Sequence, residues 1–157
     1  MLRDVERIAK RAVWLDGPLT VRVGQTADDL QGAVELMRIL VVEDEMLLLW
    51  ELTTVLEEAG HTVIAAATAD KGLSLLTGGT KVDIICTDIR TPGKIDGITL
   101  ARAAKKIQPD LPVILLSAEV DSANAGDIAD GYFSKPVAIN RLLKFMSVLR
   151  SSRPDGN

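Results

Sequence analysis

Ile39-Leu40-Val41-Val42-Glu43-Asp44-Glu45 is a short unbroken apolar run followed at once by three acids. Such a run predicts a strand buried on both faces, as in a parallel sheet covered by helices. The acids then fall at its carboxyl end. Downstream, Met46 to Ala59 carries apolar residues at 46, 49, 52, 55, 56 and 59, a helical stripe that Gly60 stops. Thr62 to Ala66 is the next strand, and Asp70 to Leu76 the next helix, ended by Gly78-Gly79. Val82 to Thr87 is a third strand, followed by a helix over Gly97 to Ile107 that Gln108-Pro109 closes. Val113 to Leu116 is a fourth strand and Ser122 to Asp130 a weak helix containing Gly126. Gly131 to Ser134 is a short fifth strand, and Ile139 to Leu149 a last helix with Leu142, Leu143, Met146 and Leu149 on one face.

Five strand–helix units in series predict an α/β fold: a doubly wound, five-stranded parallel sheet. Right-handed crossovers leave few topologies, and the order 2-1-3-4-5 is expected. The 157 residues suit one domain, placed at 37–150, with an N-terminal extension over 1–36 and a tail over 151–157. Residues 1–36 are too few to fold alone. They are read as a loosely ordered extension, with a docking or dimerising helix over Leu2 to Trp14 as the alternative.

Apolar residues make up 47% and charged residues 25%, the balance of a globular chain. The net charge of −4 argues against a nucleic-acid surface, and so does the scarcity of aromatics. The single cysteine, Cys86, forms no internal disulfide and supplies no cysteine-rich zinc site. No apolar run is long enough to span a bilayer, and the N-terminus lacks the apolar core of a secretory signal. A cytoplasmic protein with no membrane partner is therefore expected.

In such a sheet, ligands gather beyond the carboxyl ends of the strands. There the sequence places Glu43, Asp44 and Glu45 after the first strand and Asp88 after the third. Ser117 follows the fourth strand and Lys135-Pro136 the fifth. Clustered carboxylates need a cation, and oxygen ligands suit Mg²⁺. Lys135 offers a mobile charge for a phosphate oxygen and Ser117 a hydroxyl donor. Asp88 is then the candidate nucleophile toward phosphorus. Taken singly, each residue has a blander role: Glu43 and Asp44 as helix caps, Asp88 as a turn residue, Lys135-Pro136 as a loop dipeptide.

With these residues in hand, the segment from Arg38 to Arg150 resembles the receiver domain of two-component response regulators. The carriers are residues 39–45, Asp83 to Pro92 followed by Asp96-Gly97, Leu115 to Ala118, and Tyr132 to Pro136. The resemblance implies that Asp88 accepts phosphate from a partner histidine. It implies that Glu43, Asp44, Asp88 and the backbone carbonyl of Arg90 hold Mg²⁺. It implies that Ser117 bonds the phosphoryl group, that Tyr132 swings inward, and that the Lys135-Pro136 peptide is cis. The donor is then a histidine kinase or histidine phosphotransfer protein. The receiver is a phosphoacceptor that promotes only its own phosphorylation and dephosphorylation, not an enzyme acting on others. Only 21 residues follow Pro136, so a stand-alone receiver is expected, acting by protein contact or onward phosphotransfer on an unnamed downstream protein. The alternative is a degenerate receiver that binds a partner without phosphate.

Three departures stand out. Thr91 occupies a position that is usually apolar in the family. Gly93-Lys94-Ile95, between Pro92 and Asp96, is one residue longer than is commonest, which predicts an altered loop from which Lys94 reaches the phosphate or a partner. The 18 positions from Ser117 to Lys135 are fewer than usual. Among other residues, His61 is expected in an exposed loop, Cys86 in the core, Trp50 partly buried, and Arg150 to Arg153 in a solvated tail. No G-x-G-x-x-G or Walker A pattern supports a nucleotide binder, and Asp88-Ile89-Arg90 lacks the second Asp that a phosphohydrolase would use as general acid.

Overall fold

The computed structural model describes residues 35–118 and 127–152. Strands and helices alternate: β1 (Arg38–Val42), α1 (Met46–Glu58), β2 (Thr62–Ala66), α2 (Ala69–Thr77), β3 (Ile84–Asp88), α3 (Gly97–Ile107), β4 (Val113–Ser117), β5 (Gly131–Ser134) and α4 (Ile139–Ser151). The five strands form one parallel sheet in the order β2-β1-β3-β4-β5, as the alternation requires. The switch point therefore lies between β1 and β3.

Strand pleating divides the core into two layers. Leu40, Val42, Ile85, Val113 and Leu115 face one side with Leu76 of α2 and Leu100, Ala101 and Ala104 of α3. Ile39, Val41, Ile84, Cys86, Ile114 and Leu116 face the other, with Leu49, Leu52 and Leu56 of α1 and Leu142 and Met146 of α4. The central strands are apolar on both faces for this reason. On α1 the buried residues 49, 52 and 56 keep a helical period, while Met46 stays outside that stripe at 68% exposed.

Caps fix where the helices start near the site. Thr68 accepts from the Lys71 amide before α2, and Asp96 from the Thr99 amide before α3. Gly97 opens α3 packed against the end of β3. A Cβ there would run into the backbone oxygen of Asp88, and the Gly97 amide donates to the Ile89 carbonyl at 2.8 Å. Only glycine lets the helix approach the strand end so closely.

The expected boundaries shift in places. The last helix continues to Ser151, so Arg150 and Ser151 belong to α4 rather than to a tail. Arg150 Nε lies 3.0 Å from Glu35 Oε2, an exposed pair that ties the residues before β1 to the final helix. Asp127 to Asp130 form a turn and bends, not helix, and the remainder of the expected helix at 122–130 lies outside the described residues. So do the expectations for residues 1–34 and 153–157.

Candidate functional site at the carboxyl edge of the sheet

Strand ends deliver the functional groups. Glu43 leaves β1 with its amide donating to Ala66 of β2 at 3.1 Å, which holds it inside. Its side chain is fully buried. Oε1 accepts from the Glu45 amide at 3.0 Å. Oε2 lies 2.6 Å from Lys135 Nζ, yet it is buried without a well-aligned hydrogen-bond donor. Asp88 ends β3 and is 6% exposed. Its Oδ1 accepts from the Arg90 amide at 3.0 Å, and its Oδ2 accepts from Lys135 Nζ at 2.7 Å. Lys135 directly follows β5, and its amide donates to the Ser117 carbonyl at 2.8 Å. That bond extends the β4–β5 register beyond Ser117 and Ser134. The Lys135-Pro136 peptide is cis.

Glu43, Asp44 and Asp88 each bring a carboxylate oxygen within 4.8 Å of the others. Among the described residues, Lys135 is the ammonium paired with two of them. Burial pushes the Glu43 pKa up, Lys135 and the Glu45 amide oppose that, and the Asp88 charge adds to it. For Lys135, burial disfavours the charged form, but Asp88 and Glu43 outweigh it and raise its pKa. The cluster thus holds more negative charge than its own cation balances in a poorly solvated place.

The residues fit a hard divalent cation. The donors are all oxygens, two of the three acids are buried, and Glu43 Oε2 is a buried acceptor without an aligned donor. Beside them opens a cavity of about 120 Å³ lined by Asp88, Arg90, Ser117 and Ala118. Asp88, Arg90 and Ser117 therefore meet as the sequence placed them. Asp44 is exposed at the rim.

Tyr132 stands apart from this group. It pairs with Leu115, two residues back from the Ser117 level, and is 3% exposed within the core layer of α2 and α3. Its side chain is inward here. Burial, together with the charges of Asp127 and Asp130, raises its pKa. Cys86 is wholly buried two residues before Asp88, and burial pushes its thiol up to about 12. That is a core residue and not a redox centre.

Several expectations need correction. His61 is not in an exposed loop: it is 8% exposed, and its Nδ1 accepts from the Met37 amide at 3.3 Å. Burial lowers its pKa. Trp50 is 69% exposed rather than partly buried, because it falls a quarter-turn off the stripe of Leu49, Leu52 and Leu56. With Met46 and Leu47 it makes an apolar surface at the start of α1. Lys94 does not line the cavity, and its exposed side chain is compatible with the expected reach to a partner; its amide donates to Asp70 Oδ2 at 2.8 Å. Asp70, which the sequence did not single out, thus receives the loop that follows Asp88. A carboxylate in the first turn of a helix reads as a dipole partner, and nothing local signals that it also binds a loop 24 residues away.

The sheet order and the cluster at its edge define the class, and comparison with known proteins agrees. Residues 39–147 match the response regulator receiver domain, and the chain belongs to that family. It is 32% identical over 139 residues to the transcriptional regulatory protein TcrA of Mycobacterium tuberculosis, covering 86% of this chain and 54% of that protein. It is 32% identical over 126 residues to the response regulator MprA of Mycobacterium sp. strain KMS, covering 76% of this chain and 53% of that protein. The chain spans about half the length of these curated relatives. Among solved structures, it resembles the response regulator protein TrrA of Thermotoga maritima in complex with Mg²⁺-BeF. That match has a TM-score of 0.67 and 30% identity, and covers 73% of this chain and 99% of that one. A response regulator receiver protein from Sinorhizobium medicae matches with a TM-score of 0.69 and 27% identity, over 77% of this chain and 100% of that one.

Proposed function

We propose that this receiver takes a phosphoryl group onto Asp88 from the phosphohistidine of a histidine kinase or histidine phosphotransfer protein. The observation that carries the reading is the convergence of Glu43, Asp88 and Lys135 beside a cavity that Ser117 lines. Glu43, Asp44, Asp88 and the Arg90 carbonyl would hold Mg²⁺. When bound, that ion offsets the repulsion between the carboxylates and the charge on the phosphoryl oxygens.

The chain's own groups do the rest. A carboxylate oxygen of Asp88 bonds to phosphorus as the donor's N–P bond breaks. The electron pair stays on the imidazole nitrogen, and an acyl phosphate remains on Asp88. Lys135, already against Asp88 Oδ2, turns its charge to the incoming phosphoryl oxygens. The Ser117 hydroxyl donates to one of them. The return reaction is hydrolysis: water attacks phosphorus, the acyl O–P bond breaks, and carboxylate and inorganic phosphate are left. The receiver thereby turns over only its own acyl phosphate.

Met46, Leu47 and Trp50 follow Asp44 directly and offer the donor protein an apolar footing beside the site. The signal leaves by protein contact or onward phosphotransfer. Among the described residues, no helix is long and apolar enough to cross a membrane, which suits the cytoplasmic setting proposed here.

Incubation with Mg²⁺ and acetyl phosphate is expected to add one phosphoryl group by intact mass, and Asp88→Asn to abolish the gain. Labelling that persists in the variant would move the acceptor elsewhere. A wild type that is never labelled, even with histidine kinases supplied, would leave a receiver that binds partners without phosphate.

A further inference from the structure

Three hydrogen bonds tie the loop after Asp88 to the first turn of α2. Thr91 Oγ1 accepts from the amide of Ala69, the first residue of that helix, at 3.0 Å. The carboxylate of Asp70, one residue on, returns the favour: its Oδ2 accepts from the amides of Lys94 at 2.8 Å and Ile95 at 3.4 Å. Gly93 makes the approach possible. Its φ is +128°, and a Cβ there would collide with Asp70 Oδ2. The helix amide would otherwise be one of the unpaired donors at the start of α2. Each side of the clamp satisfies the other, and it closes around the extra residue of this loop.

Arg90 sits between fixed points. On its amino side, its amide donates to Asp88 Oδ1 at 3.0 Å, and the preceding Ile89 is pinned to Leu116 and Gly97 through its amide and carbonyl. On its carboxyl side the next residue is Thr91, whose Oγ1 is held by the Ala69 amide of α2. The orientation of the peptide that carries the Arg90 carbonyl is therefore set by Asp88 on one side and by α2 on the other.

We propose that Thr91 and Asp70 are positioning residues for the divalent ion: they hold the loop so that the Arg90 carbonyl is presented as a ligand. The proposal rests on the metal reading of the site given above. Neither residue touches the ion. Both act through the backbone between Asp88 and Asp96, much as outer partners of metal ligands orient them elsewhere.

The test uses the whole chain and Mn²⁺ in place of Mg²⁺, with free Mn²⁺ read by electron paramagnetic resonance. Thr91→Val and Asp70→Ala are expected to raise the Mn²⁺ dissociation constant by about 10-fold, the scale on which outer-shell partners act. Thr91→Ser keeps the acceptor oxygen and is expected to bind as the wild type does. Amide exchange at Lys94 and Ile95 in the ion-free protein shows whether the clamp has opened. Wild-type Mn²⁺ affinity in Thr91→Val and Asp70→Ala, with those amides unprotected in Asp70→Ala, overturns the positioning role. So does a Thr91→Ser variant that binds as weakly as Thr91→Val, which would indicate general damage to the loop. A wild type that takes up no Mn²⁺, or an Asp44→Asn variant that binds like wild type, would instead strike the metal reading, and the positioning role would go with it.

Discussion

The two ends of the same sheet hold similar side chains in opposite circumstances. At the carboxyl end, Glu43 and Asp88 are buried with Lys135 between them, and Asp44 adds a further charge at the rim. At the amino end, Asp83 accepts from the Arg38 amide at 2.7 Å and lies 3.9 Å from Arg150, which pairs with Glu35. Asp83, Arg150 and Glu35 all keep substantial contact with water. The amino-end groups, two acids around one guanidinium, are spread out and screened by water. The carboxyl-end groups are crowded, unbalanced and dry. Charge pairs of the first kind fasten chain to chain at little gain or cost. Groups of the second kind are held by the fold despite their repulsion, which is the mark of a site kept for chemistry.

The largest contrast should appear on truncating the cation at each end. Lys135→Ala removes the ammonium that faces both Asp88 and Glu43. Phosphorylation by acetyl phosphate is expected to slow by about 100-fold, the usual scale for losing a charge-stabilising donor. Metal binding should survive, since the carboxylates remain. Stopped-flow labelling with mass detection would measure the rate, and a rate close to wild type would break the comparison at its stronger end.

Gly97→Ala comes next. It drives a methyl group into the Asp88 backbone and should cost about 1–3 kcal/mol in chemical denaturation, as overpacking does. An unchanged midpoint would mean that α3 can withdraw from the strand end freely.

His61 sets a smaller and pH-dependent effect at the amino end. Burial lowers its pKa from the ordinary 6.5, so the folded protein binds its proton less readily than the unfolded chain does. The stability this gives is fully present above pH 6.5 and is lost as pH falls below it towards the folded-state value. His61→Asn keeps an acceptor for the Met37 amide and has no such titration. Thermal unfolding followed across that window should show a flatter profile in the variant, and parallel profiles would remove His61 from the balance.

Arg150→Ala should matter least. Its pairs are exposed, so the loss should stay below about 1 kcal/mol by urea unfolding. A much larger loss would show the amino-end network to be more than a fastening.

What the sequence revealed and concealed follows the range of the interactions. The strands were legible because a run such as Ile39 to Val42 has no other comfortable place than between two helical layers. The sheet order followed from alternation and handedness, and the strand ends then named Glu43, Asp88, Ser117 and Lys135. His61 was misjudged because its burial depends on Met37, which arrives from 24 residues upstream. No periodicity announces such a contact. Trp50 was different: the spacing of Leu49, Leu52 and Leu56 already excludes it from the buried face, but three leucines beside it blurred the stripe. The partnership of Asp70 with Lys94 and Ile95 was invisible for the same reason as His61, since main-chain amides leave no trace in composition.

The hydroxyl of Ser117 and the ammonium of Lys135 are spaced by a yoke. Strand register places Ser117 beside Ser134, and the next rung joins Lys135 to Ser117 main chain to main chain. The length of the connector that links the two strands does not enter that spacing. The connector can therefore be shortened or rewritten while the spacing of the Ser117 hydroxyl and the Lys135 ammonium stays the same.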